Sequence, residues 1–176
     1  ANSLISFPEV EALSGAKSRF STGIGEMDRV LGGEKGNKGM VPGAVMLIGG
    51  EPGIGKSTIL TQMLVTILKE QTKQGGSQKK LPPLMYVSGE ENPSQIALRI
   101  ERIAETKLTP DQQARLLFVT STDVDVIVGH MEKEKPALVV VDSIQTITTS
   151  ELTGVAGSVG QVRECTDKIT TAAKRY

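Results

Sequence analysis

"LIGGEPGIGKST", residues 47–58, decides how the rest of the chain is read. Glycines at 50, 53 and 55 are followed at once by Lys56, Ser57 and Thr58. Gly50, Gly55, Lys56 and Ser57 satisfy the spacing GxxxxGK[ST], with an apolar run before it and an amphipathic helical pattern after it. Glycines at this spacing let successive backbone N–H groups turn inward around phosphate oxygens, and the N-terminus of the following helix adds partial positive charge. The loop Gly50, Glu51, Pro52, Gly53, Ile54, Gly55, Lys56, Ser57 and Thr58 therefore reads as a cradle for a nucleotide's phosphates. Lys56 reaches the β and γ phosphates as a point charge, the Ser57 hydroxyl ligates Mg²⁺, and Thr58 is placed for the α phosphate.

Outward from the loop, four short apolar runs stand out: 44–50 (AVMLIGG), 84–88 (LMYVS), 116–120 (LLFVT) and 137–142 (ALVVVD). Each is continuous rather than alternating, the pattern of parallel strands buried on both faces. Helical patterns lie between them. After Lys56, the residues Ile59, Met63, Leu64, Ile67 and Leu68 share one helix face. Asn92 and Pro93 read as an N-cap and first helical residue, with Ile96, Ile100 and Ile103 on one stripe. Thr109 and Gln112 stand at capping-box spacing, and Asp123 is a cap for a helix with Val124, Ile127, Val128 and Met131 inward. Strand and helix in alternation predict a P-loop NTPase of the α/β class, a doubly wound, mostly parallel sheet flanked by helices. The polar stretches 32–39 and 71–80 read as solvated loops.

A Mg²⁺ site needs a second anchor, and the apolar run that ends in Asp142 supplies it at the strand edge where parallel sheets bind ligands. Asp142 acts on the metal directly or through its water. Hydrolysis also needs a group that orients or deprotonates water. Glu90 and Glu91 fall just past the end of a neighbouring strand, with side chains pointing in different directions. Glu90 is the candidate base and Glu91 a structural or outer-shell group, the alternative being two solvated charges that favour a helix N-terminus. Gln145 is open to two readings, a sensor of the γ phosphate or an amide that satisfies buried backbone groups. His130 stands without a second metal ligand and reads as a surface residue.

Composition bounds the partners. Lys+Arg and Asp+Glu both number 20, so net charge gives no bulk pull toward nucleic acid. With 3% aromatic residues and no tryptophan, base-stacking platforms are disfavoured. The single cysteine, Cys165, excludes an internal disulfide, and no run approaches the roughly 18 apolar residues of a membrane span.

Together "STGIGEMDRVLGG", "LIGGEPGIGKST", "YVSGEEN", "VVDSIQT" and "GSVGQVREC" resemble the RecA-type ATPase core of the bacterial RadA (Sms) branch-migration family. The resemblance implies a RecA-like domain over 18–176 after an N-terminal segment 1–17, cut before its last core strands. On this resemblance the family's zinc ribbon and Lon-like domain are expected to have no counterpart within residues 1–176. It further implies ATP and Mg²⁺ as cofactors, single-stranded DNA and a recombinase as partners, a homo-hexamer when full length, and no membrane. By matching positions, Lys56 and Ser57 become nucleotide ligands, Asp142 the Walker B acid and Glu90 the catalytic carboxylate. Residues 148–161 take the place of a DNA-binding loop, with Ser158, Gln161 and Arg163 as possible contacts, and Arg163, Lys168, Lys174 and Arg175 could line a ring channel. The family implies a bacterial cytoplasm, or an organelle for a eukaryotic homologue. Competing functions are a KaiC-like ATPase or phosphotransferase, which shares the tandem glutamates, and a nucleotide-dependent protein-interaction module.

Overall fold

Five consecutive residues, Leu84–Ser88, are all buried and form the middle strand of a three-stranded parallel sheet. The computed structural model describes residues 6, 8, 19–34, 36–74 and 82–175, with backbone alone for 71–74. Its elements run α1 (Gly25–Leu31), β1 (Gly33–Glu34), β2 (Asn37–Lys38), α2 (Lys56–Gln74), β3 (Leu84–Ser88), α3 (Pro93–Ala104), α4 (Pro110–Ala114), β4 (Leu116–Val119), α5 (Val124–Glu134), β5 (Leu138–Asp142), a 3₁₀ turn (Ile144–Thr146) and α6 (Val159–Arg175). The segment 1–17, apart from residues 6 and 8, and residues 75–80 of the second polar stretch lie outside the described residues.

The sheet order is β4-β3-β5, with Leu84 opposite both Leu116 and Leu138 and Ser88 opposite Asp142. Side chains alternate between faces along a strand, so this register sorts the apolar residues into two layers. Leu84, Tyr86, Leu138 and Val140 pack with Met63, Leu64, Ile67 and Leu68 of α2 and with Ile96 and Ile100 of α3. On the other face Met85, Val87 and Val119 pack with Val124, Ile127 and Met131 of α5 and with Cys165 and Ala172 of α6. Both faces are therefore covered, which is why the strands read as unbroken apolar runs. Each fully buried aliphatic side chain contributes about 1.5–3 kcal/mol, so the five core residues Met63, Leu64, Val65, Ile67 and Leu68 make α2 the strongest anchor of its layer.

The predicted caps form. Asn92 and Thr109 each close a reciprocal capping box, with Gln95 and Gln112, and Asp123 accepts from the Asp125 N–H. At the start of the described fold, buried Asp28 accepts from the Thr22 N–H and Oγ1, both at 2.7 Å, and from Ser21 Oγ. Burial alone would raise its pKa, but the hydrogen bonds from Ser21 and Thr22 outweigh it and hold the carboxyl below its ordinary value. This closed turn accounts for the "STGIGEMD" motif.

Two expectations are corrected. Residues 44–50 are not a strand of this sheet: they join no ladder, and Val45 and Leu47 are 51% and 85% exposed. An inner strand needs a hydrogen-bonding neighbour, and among the described residues none lies beside this run or along the free edge of β5. The stretch 32–39 is not an irregular loop either. Glu34 pairs with Asn37 and Gly33 with Lys38 in a short exposed hairpin, whose flank is tied down by Arg19 through the Leu31 and Gly39 carbonyls.

Candidate nucleotide-binding site

The phosphate-type loop leads directly into α2, which begins at Lys56 and has no acidic residue in its first turn. The N-terminus of this long helix thus keeps its partial positive charge unopposed by its own side chains. Gly53 and Gly55 adopt φ of +79° and +100°, and an added Cβ at either would meet nothing within 4 Å. The glycines are needed here for backbone conformation, and the space above them stays open. Lys56 Nζ donates to the carbonyls of Gly50 and Glu51, both at 2.7 Å, folding its ammonium over the loop. The Ser57 side chain is half-buried and Thr58 is exposed.

Asp142 ends β5 on the same sheet face as α2, because register sets it opposite Ser88 and two positions beyond Val140. Tyr86, 1% exposed, donates its hydroxyl to Asp142 Oδ2 at 2.7 Å. The Thr61 hydroxyl lies beside the same phenol and donates its proton to the Ser57 carbonyl at 2.7 Å. Two neighbouring side chains, Thr61 and Tyr86, thus contact Ser57 and Asp142 across the α2 and β5 junction. Burial, and then the Asp142 carboxylate, push the Tyr86 phenol well above its ordinary range, so it remains a donor.

Glu90 follows β3 through Gly89, where a Cβ would fall 2.5 Å from Thr146 Oγ1 and 2.8 Å from Thr122 Cγ2. Only glycine lets the chain pass so close to the turn after β5. That approach brings Glu90 Oε1 to 3.3 Å from Ser143 Oγ, which donates to it, and leaves Glu90 exposed. Glu91 turns the other way and forms an ion pair with Arg99 of α3. Gln145 lies in the 3₁₀ turn and is exposed, so it does not serve as a buried amide. His130 is exposed on α5.

The donors present suit a hard divalent cation, which takes oxygen ligands. Among the described residues only one oxygen of Asp142 has a hydrogen-bond donor, and the Ser57 hydroxyl has no side-chain or backbone partner. Ser57, Asp142 and, beyond them, Glu90 thus present oxygens at one end of the sheet with Lys56 as the cation. This set fits Mg²⁺ with a polyphosphate.

The suggested DNA loop is arranged differently from the expectation. Residues 150–157 are exposed, including Val155 at 78%, and Arg163 and Ser158 flank them, the former exposed and the latter half-buried. Gln161, however, is 2% exposed: its Oε1 accepts from the Thr149 N–H at 2.7 Å, and its Nε2 donates to the Thr149 and Leu152 carbonyls. Its amide is consumed in holding the loop and offers nothing to a ligand. Lys168 is likewise engaged, with Asp125 at 2.9 Å and Glu151 at 2.8 Å, and these hydrogen bonds hold its ammonium above the usual lysine range. It is a brace between α5, α6 and the loop, not a free channel charge. Sequence reasoning missed Tyr86 and Thr61, because neither carries a motif and their meeting with Asp142 depends on strand register.

Comparison with known proteins follows the same lines. The AAA domain profile matches residues 35–174. The chain is 39% identical over 170 residues to the DNA repair protein RadA of Synechocystis sp., covering 90% of this chain and 31% of that protein. It is 42% identical over 160 residues to the protein of the same name in Mycolicibacterium smegmatis, covering 91% and 30%. With that of Pseudomonas aeruginosa it shares 40% over 157 residues, covering 89% and 30%. The chain thus spans about a third of the length of these curated relatives.

Proposed function

The chain belongs to the AAA domain family, and from that premise we propose that it binds ATP with Mg²⁺ and hydrolyses it as the motor core of a DNA repair protein. The supporting observation is the pair of hydrogen bonds Thr61 to Ser57 and Tyr86 to Asp142, made by neighbouring side chains, which sets the phosphate-type loop and the strand-end carboxylate at one edge of the sheet. Backbone N–H groups of residues 50–58 and the α2 N-terminus take the phosphates, and Lys56 swings from the Gly50 and Glu51 carbonyls to the β and γ oxygens. Ser57 and Asp142 hold Mg²⁺, which when bound neutralises charge on the phosphates. Glu90, exposed and steadied by Ser143, orients and deprotonates the attacking water, while Gln145 faces the same edge as a sensor of the γ phosphate.

The DNA half of the reading rests on the likeness to DNA repair proteins and on the exposed loop 150–157 beside Arg163. Single-stranded DNA stimulates turnover in this reading, in recombination and branch migration, within a homo-hexamer and beside a recombinase. The location proposed is the bacterial cytoplasm; no helix among the described residues is long and apolar enough to cross a membrane. The test compares ATP turnover with and without single-stranded DNA at low and high salt. Stimulation that fades with salt is expected, because phosphate contacts release counterions. Turnover that stays flat, with no binding at low salt, removes the DNA role. Glu90→Gln is expected to retain ATP binding and lower turnover by about 100-fold or more, as loss of a general base does.

A further inference from the structure

We propose that Tyr86 is a positioning residue for Asp142, its phenol fixing one carboxylate oxygen so that the other is presented to the cation shared with Ser57. The inference rests on the reading of this edge as a Mg²⁺-nucleotide site. Tyr86 is the aromatic residue of β3 and places its ring in the α2-facing core with Leu84, Met63, Leu64 and Ile67. A phenylalanine would fill that space without a polar atom to satisfy. The hydroxyl is instead aimed at Asp142 Oδ2, at 2.7 Å, and is the sole donor to that carboxylate among the described residues.

An aspartate's carboxylate turns in a broad, shallow torsional well, so one fixed oxygen removes most of its freedom. The register makes the contact possible: Tyr86 lies opposite Val140, two residues before Asp142, and both side chains project from the same sheet face. Thr61 packs beside the phenol and donates to the Ser57 carbonyl, so the first turn of α2 lies against the ring that holds Asp142. One buried ring therefore fixes the carboxylate on β5 while lying against the first turns of α2. Groups that hydrogen-bond metal ligands in this way commonly govern metal affinity by about 10–100-fold.

The experiment measures binding of a fluorescent ATP analogue by the full chain in Mg²⁺ and in EDTA, together with the Mg²⁺ dependence of turnover. Tyr86→Phe is expected to raise the half-saturating Mg²⁺ concentration about 10-fold while leaving affinity in EDTA unchanged. In an Asp142→Ala background the same substitution should add nothing, because the two residues act as one unit. Tyr86→Leu, which removes the phenol and keeps an apolar side chain in the core, should shift the Mg²⁺ constant in the same direction and serves if Tyr86→Phe fails to fold. An unshifted Mg²⁺ constant, equal losses with and without Mg²⁺, or an additive effect in the Asp142→Ala background overturns the proposal and leaves Tyr86 as core. A wild-type chain without Mg²⁺-dependent nucleotide binding overturns the site reading itself, an outcome distinct from normal wild-type binding with an indifferent Tyr86→Phe.

Discussion

Asp28 takes three donors from Ser21 and Thr22 on its two oxygens, and Thr22 is fully buried. Removing the carboxylate strands the Thr22 hydroxyl and N–H away from water, and a buried unsatisfied group costs about 1–3 kcal/mol. Asp28→Ala is therefore expected to destabilise the chain by about 2–3 kcal/mol in urea titrations, with little change in slope. The pH dependence has a definite sign. Because the folded-state pKa of Asp28 is lowered from 3.8, its contribution is complete above that ordinary value and is lost as pH falls through the folded one. Wild type should thus lose more stability than Asp28→Ala on acidification below about pH 4, the ordinary carboxylate range.

Gln161 shows what an element's end can do for the loop before it. Its amide imitates a strand neighbour for Thr149, accepting from the N–H and donating to the carbonyl, and reaches Leu152 as well. Gln161→Ala is expected to cost about 1–3 kcal/mol and to accelerate amide hydrogen exchange over 149–154 while α2 and β3 keep their protection. Unchanged exchange there would show that the loop is held by Lys168 alone. The caps at Asn92, Thr109 and Asp123 were legible because side-chain chemistry and proline placement act within four residues. The phosphate loop was legible for the same reason. Helix α6 was harder: Val162, Cys165, Ile169 and Ala172 recur at helical spacing, but glycine, serine and charge dominate the rest. The run 44–50 misled because apolar continuity reports a preference for burial and says nothing of which strand supplies the hydrogen bonds. The Tyr86 to Asp142 contact was invisible, since it spans 56 residues and needs the β3-β5 register.

At the scale of the whole molecule the sheet is covered on both faces and, among the described residues, unpaired along the outer edges of β4 and β5. β5 pairs only with β3 among the described residues, and Val45 and Leu47 are exposed in the unpaired run 44–50. Such edges recruit other strands. The chain is expected to self-associate as concentration rises, seen as growing light scattering, and Leu47→Lys should suppress this without lowering the melting temperature. Scattering independent of concentration would contradict it. Cys165, by contrast, lies wholly inside, on α6 in the apolar layer it shares with α5, and burial raises its pKa. As the lone thiol of the sequence, it makes an intrinsic clock for breathing of the α5–α6 layer. Alkylating reagents can reach it only when that layer parts, so the trapping rate reads out the opening equilibrium directly. ATP with Mg²⁺ should slow the clock only so far as the nucleotide edge and this rear layer open as a single unit.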